Sequence, residues 1–359
     1  MLQPGKLLWL LALAFPAAAV EQWSLRAETG AEYDSNAARL YQQAEGDWLN
    51  RLLMEGRGWR NIGAHHVGAG ALVGGKLFWH ETDQDIFLWK VFADWDWKAL
   101  ENLGLGAEAF YYDSLMEVHL RDWRQLQARS WLKLDLADRL QARLWVGGSW
   151  FVFKPDDSRV YQVKLSHAGP LFGVHLSLLP EENSAADIFY ELELAWFGYR
   201  ALGRYQGVLV QSAEQRRDFL HQVGLNLRRR LGGANWRMVG ELSWRIAASE
   251  SNSFGSSALR HRLRLAVAAE LPLGFSLQFL GGVQFNSFPD GIYLEGNVYQ
   301  PDADENENSL VLRAQYEFWR GLGFYLQGAL YRSAFRAGTE NSPAFARETA
   351  GLGLYYENW

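Results

Sequence analysis

Seven arginines in the third quarter of the chain keep a common parity within each run: Arg228 and Arg230, Arg237 and Arg245, then Arg260, Arg262 and Arg264. In an extended strand that spacing puts every member of a run on one face. A face of guanidinium groups suits carboxylates or phosphates, because the planar fork donates two parallel hydrogen bonds to one oxyanion. Glu241 and Glu270 lie close enough in sequence to pair with these arginines and leave them as filling. Acids keep a shared parity elsewhere, in Glu28, Glu32 and Asp34 and in Asp94 and Asp96. An acidic wall opposite a basic one would set up a transverse field across a narrow passage.

Other chemistry is sparse. His175 and Ser177 share a strand face, but no third member of a hydrolytic set is apparent beside them. His65-His66 and His80 lack metal-ligand spacing, there is no nucleophile elbow, and the chain has no cysteine, so neither metal, cofactor nor enzymatic activity is expected. The net charge of -6 and the lack of a basic block exclude nucleic acid as a partner.

The elements that must carry the arginine face are strands. In 22–34, Trp23, Leu25, Ala27, Ala31 and Tyr33 alternate with polar residues, which gives one apolar and one polar face. Trp23 and Tyr33 are ten residues apart, a rise of roughly 33 Å that a tilt of about 40° projects to about 25 Å, the height of a lipid band between two aromatic girdles. Phe87 and Trp97 repeat the spacing, and Trp236 opens a further strand of the kind.

Such segments fall near 22–34, 48–60, 66–80, 85–98, 102–114, 122–136, 139–153, 159–168, 171–180, 186–199, 203–211, 216–230, 235–248, 258–271, 274–288, 308–320, 323–335 and 345–358. The reading is an all-β, transmembrane, antiparallel up-and-down barrel of about eighteen strands, with sixteen as the alternative. Short turns at Ala137-Asp138, Gly169-Pro170, 231–235, 272–274 and Gly321-Leu322 alternate with loops 35–47, 181–186, 249–257, 289–307 and 336–344. That asymmetry fits periplasmic turns and extracellular loops. The 289–307 loop carries Asp302, Asp304, Glu305 and Glu307 and reads as a solvated acidic loop. In the inward register, Trp145 and Phe151 could stack on sugar rings or fill gaps.

At the N-terminus, Lys6, the apolar run from Leu7 to Phe15 and Ala17-Ala18-Ala19 make residues 1–20 a signal peptide, leaving 21–359 as the barrel. This signal, the strand ladder and the terminal Trp359 together resemble bacterial outer-membrane β-barrels of the porin type. The resemblance implies outer-membrane lipid and lipopolysaccharide as surroundings and recognition of the last strand by the barrel assembly machinery. Gly353 and Glu357 depart from that pattern, since they stand behind Trp359 where apolar residues are usual, while Leu352, Leu354 and Tyr356 occupy the other register. Gly30-Ala31-Glu32-Tyr33-Asp34-Ser35-Asn36 resembles the first strand of barrels in exopolysaccharide exporters, which implies periplasmic export partners and an alternative role as an exit channel or anchor. His175-x-Ser177 resembles the pair in lipid A deacylases, although alternation turns it inward, away from lipid. The functional expectation is an outer-membrane pore for small hydrophilic, anionic solutes.

Overall fold

The structure, a computed structural model, describes residues 22–37, 45–116, 122–154, 165–181, 183–290, 308–333 and 345–358. The expected signal peptide, Trp359 and residues 291–307 lie outside these. Sixteen strands form the fold: β1 (Gln22–Asp34), β2 (Asp47–Ile62), β3 (His65–Phe78), β4 (Ile86–Leu100), β5 (Leu103–Met116), β6 (Trp123–Ala137), β7 (Leu140–Phe153), β8 (His167–Glu181), β9 (Ser184–Tyr205), β10 (Val208–Gly233), β11 (Trp236–Ser251), β12 (Ala258–Glu270), β13 (Phe275–Ser287), β14 (Asn308–Trp319), β15 (Leu322–Ser333) and β16 (Phe345–Asn358). Each pairs antiparallel with the next, and β16 pairs with β1 from Leu25↔Asn358 to Asp34↔Thr349, so the sheet closes. Closure leaves no free sheet edge, a requirement for strands in lipid.

The count is sixteen, not eighteen, because apparent breaks in the sequence are strand interior. Gly169-Pro170 is no turn: both residues lie within β8, and Pro170 faces Gly148 of β7. The ladder to β9 is interrupted there, between Ala168↔Trp196 and Leu171↔Glu193, so the missing proline N–H costs no ladder bond. Gly169 is needed at the same spot, since a Cβ would sit 1.5 Å from the Leu194 carbonyl oxygen. Likewise, the three segments expected over 186–230 are two long strands. β9 and β10 run 22 and 26 residues, meet at Gln206-Gly207, and absorb the irregular stretch between Gln211 and Arg217 as a bulge. Both turn residues have positive φ, 48° and 85°, as a tight hairpin turn of the primed type requires.

Seven connections of two to four residues, β2–β3, β4–β5, β6–β7, β8–β9, β10–β11, β12–β13 and β14–β15, share one rim with the start of β1 and the end of β16. On the opposite rim every connection spans six residues or more, except the Gln206-Gly207 hairpin, which the long β9 and β10 carry past that rim. The 181–186 segment, expected among the long loops, is mostly strand: Glu181 ends β8, Ser184 begins β9, and the two pair on the terminal rim.

Candidate functional site

Alternation sorts the wall into two surfaces. Outward positions carry Leu312, Leu326 and Leu352 on adjacent strands, each more than half exposed. Trp23, Trp97 and Trp236 ring the terminal side of this apolar band, and Tyr33 and Phe87 lie on the loop side, where the Trp48 ring lies between those of Tyr33 and Trp79 in tilted contacts. A continuous apolar surface of this extent is not tolerated in water. Inward positions on the same strands are mostly polar or glycine, as in Arg313, Gln315, Gln327, Gly351 and Gly353, with Tyr325 and Tyr355 among them. The chain is a closed transmembrane β-barrel, the architecture of bacterial outer-membrane barrels. The outward register of β16 is Leu352, Leu354 and Tyr356, so its apolar pattern is displaced by one residue from the register of Gly353 and Glu357.

No family model matches the chain, and no curated protein matches it. Among solved structures, the barrel is similar in fold to OccK2 (OpdF) of Pseudomonas aeruginosa (10% identity, TM-score 0.46, 94% of this chain and 99% of that one). It is also similar to a bacterial polysaccharide outer membrane secretin (9%, TM-score 0.46, 95% and 100%) and to the toluene transporter TodX of Pseudomonas putida (9%, TM-score 0.39, 97% and 91%).

Within the barrel, the acids of β1 and β4 do not form an open acidic wall. Arg313 reaches from β14 across two strands to Glu28, with bonds of 3.0 and 3.1 Å, and Arg26 closes on Glu28 at 2.5 Å. Glu32 lies 3.4 Å from both Arg51 and Lys76, Asp34 lies 3.0 Å from Arg347, and Asp94 lies 2.8 Å from Arg57. Asp96 accepts the Trp131 indole N–H. The expected transverse field therefore loses its acidic side to local pairing.

The arginine side divides. Arg228, Arg230 and Arg237 are exposed near the terminal rim, where Arg228 faces Glu241 in register and Arg237 lies 3.7 Å from Glu270. Arg245, Arg260, Arg262 and Arg264 occupy lumenal positions of β11 and β12, and Arg245 and Arg262 stand directly opposite each other. On the far side, Arg260, Arg262 and Arg264 face Asn286, Gln284 and Gly282, none of them acidic. Neither Arg245 nor Arg262 makes a salt bridge with any described residue.

Next to Arg245 lies a lumenal cavity of about 230 Å³ lined from β5 to β11. Three aromatic rings floor it, each flat over a glycine of the adjoining strand: Trp131 over Gly106, Trp145 over Gly173 and Phe189 over Gly224, where a Cβ would come within 2.1–2.4 Å of the ring. Guanidinium groups cover the rings, with Arg143 5.3 Å from the Trp131 centroid, Arg129 5.3 Å from Trp145 and Arg245 5.3 Å from Phe189. Of these residues, sequence reasoning singled out only Arg245 and Trp145. The signal for the rest was available in the same-face pairs Arg129-x-Trp131, Arg143-x-Trp145 and Phe189-x-Glu191.

His175 and Ser177 face the lumen as expected, and the fold brings Asp187 to 3.3 Å from His175. No hydrogen bond joins Ser177 to His175 among the described residues, and the pair faces away from lipid. Among the described residues, no group of three His, Cys, Asp or Glu side chains could hold a metal ion. Of the 289–307 loop, Asp290 accepts the Gly255 N–H at 2.7 Å, and the four acids named above lie outside the described residues.

Proposed function

We propose that this barrel is a pore for small hydrophilic solutes and that Arg245 and Arg262, with Arg260 and Arg264 beside them, make it favour anions. The observation that carries the reading is the Arg245↔Arg262 register pair, two like charges side by side with amides and glycine for neighbours. Like charges directly opposite on adjacent strands destabilise a sheet, and a mobile anion relieves that repulsion. Barrels of sixteen strands leave an aqueous channel, and low-dielectric walls focus the field of fixed charges into it. An anion would exchange part of its hydration for guanidinium bonds, then leave down its gradient because several sites compete for it. Arg228 and Arg230 extend the basic surface to the terminal rim, while Arg237 is partly neutralised by Glu270.

The test is single-channel recording of the purified barrel in a planar bilayer under a potassium chloride gradient. The expected result is steady conductance with a reversal potential on the anion side, moving towards zero when Arg245 and Arg262 are both replaced by Gln. Cation preference in the unaltered barrel would overturn the anion reading, and a folded but silent barrel would overturn the pore itself.

A further inference from the structure

We infer that the cavity beside Arg245 binds an acidic amino acid, a small solute with two carboxylates and one ammonium group. The inference rests on the pore reading and narrows it. At about 230 Å³ the cavity is smaller than the roughly 300–1,000 Å³ typical of drug-sized ligands, so its occupant is small.

The charges on its wall set the ligand's chemistry once internal pairs are removed. Arg129 is tied to Glu108, and His175 lies 3.3 Å from Asp187. Three charged groups then remain without an ion pair among the described residues: Arg143, Arg245 and Glu191. The ligand complementary to two guanidinium groups and one carboxylate carries two carboxylates and one ammonium. Each guanidinium can grip a carboxylate, while Glu191 accepts from the ammonium. Glu191 already lies in the field of Arg129, Arg245 and His175, so the pocket has one acidic point within a basic surround.

Three unmade hydrogen bonds back the cavity. Arg245 Nε, Asn226 Oδ1 and His175 Nε2 are buried without a hydrogen-bond partner among the described residues, and buried polar groups normally have one. The aromatic floor is held flat by Gly106, Gly173 and Gly224, which keeps the cavity open instead of filled by its own rings. A neutral sugar would leave both arginines uncompensated, and a plain dicarboxylate would leave Glu191 facing its own charge.

Isothermal titration of the folded barrel in detergent with L-glutamate, glutarate and L-alanine tests this directly. Glutarate lacks the ammonium, and alanine lacks the second carboxylate. Glutamate is expected to bind at least tenfold more tightly than either. Glu191→Gln should bring glutamate down to the level of glutarate without weakening glutarate, and Arg245→Gln should weaken both. Equal binding of glutamate and glutarate, or no binding of glutamate, overturns the inference, and this comparison needs no variant to fold. Bilayer recordings separate the two readings. A conducting, anion-selective barrel that treats the three solutes alike leaves the pore and removes the site, whereas selective glutamate binding by a silent barrel leaves the site and removes the pore.

Discussion

On β1 and β4, Glu28, Glu32, Asp34 and Asp94 each have a cation within 3.4 Å, whereas on β11 and β12 two arginines face each other and their neighbours on β13 carry no charge. The paired side includes the one junction whose strands are not consecutive, β1 with β16. Chain connectivity does not bring those strands together, and the closing step carries the loop-entropy cost of nearly the whole barrel. Arg313 spans the junction from β14 to Glu28 while its guanidinium lies 4.1 Å from the Tyr325 ring centroid, and Tyr325 in turn lies against the Gly30↔Gly353 pair. The β10–β13 side is a run of consecutive hairpins, which connectivity holds in place. Arg245 and Arg262 there have no acidic partner among the described residues and are available for a solute.

The largest expected effect follows from breaking the paired side. Glu28→Ala leaves Arg313 buried without its partner, and removing one member of a buried ion pair costs about 3–5 kcal/mol. Gel-shift thermal unfolding should show a much lower transition for this variant and almost none for Arg245→Ala. Equal losses would abolish the contrast between the two sides.

A smaller effect should come from making the arginine side resemble the junction. Gln284 is the register partner of Arg262, so Gln284→Glu supplies the missing acid. A cross-strand pair of opposite charges contributes about 0.2–1 kcal/mol, so the unfolding transition should rise slightly. The reversal potential should move away from the anion side at the same time. A stabilised variant with unchanged selectivity would show that Arg262 does not govern the passing ion.

The smallest effect is local and lies on the loop rim of β2. Burial pushes the Asp47 carboxyl up, but the backbone N–H groups of Glu81 and His80, the His80 ring and the Trp48 N–H outweigh it and hold it at about 2, against an ordinary 3.8. A depressed acid stabilises the folded form above its unfolded value, and that contribution is lost as pH falls through the folded one. Order in the turn after β3 should therefore persist at pH 4 and fade towards pH 2. Amide exchange at His80 and Glu81 measures it, and Asp47→Ala should remove the protection at every pH. Protection in that variant equal to the wild type would show that the carboxylate does not hold the turn.

Much of the fold was legible because lipid imposes a rule on every second residue. Trp23, Tyr33 and Trp236 are exposed on the outer surface, and Arg245 and Arg262 are register partners on the other face of their strands. The errors arose where a residue's usual preference was overridden by its neighbours. Gly169-Pro170 has turn chemistry, yet an interrupted ladder lets it continue a strand, and the bulge in β10 resembles a loop until β9 is seen paired on both sides of it. In the lumen, parity identified which charges face inward but not which of them meet. Glu28 and Arg313 are 285 residues apart, and no local spacing relates them.

The sequence by itself determined the strand pattern, the lipid-facing band and the inward direction of the arginines, since these follow from a period of two and from the bilayer. Tertiary structure decided the strand number, the neutralisation of the acidic wall, the juxtaposition of Arg245 with Arg262 and the glycine-seated aromatic floor. Each of these depends on register between strands, and register is a relation between distant segments that residue type alone does not specify.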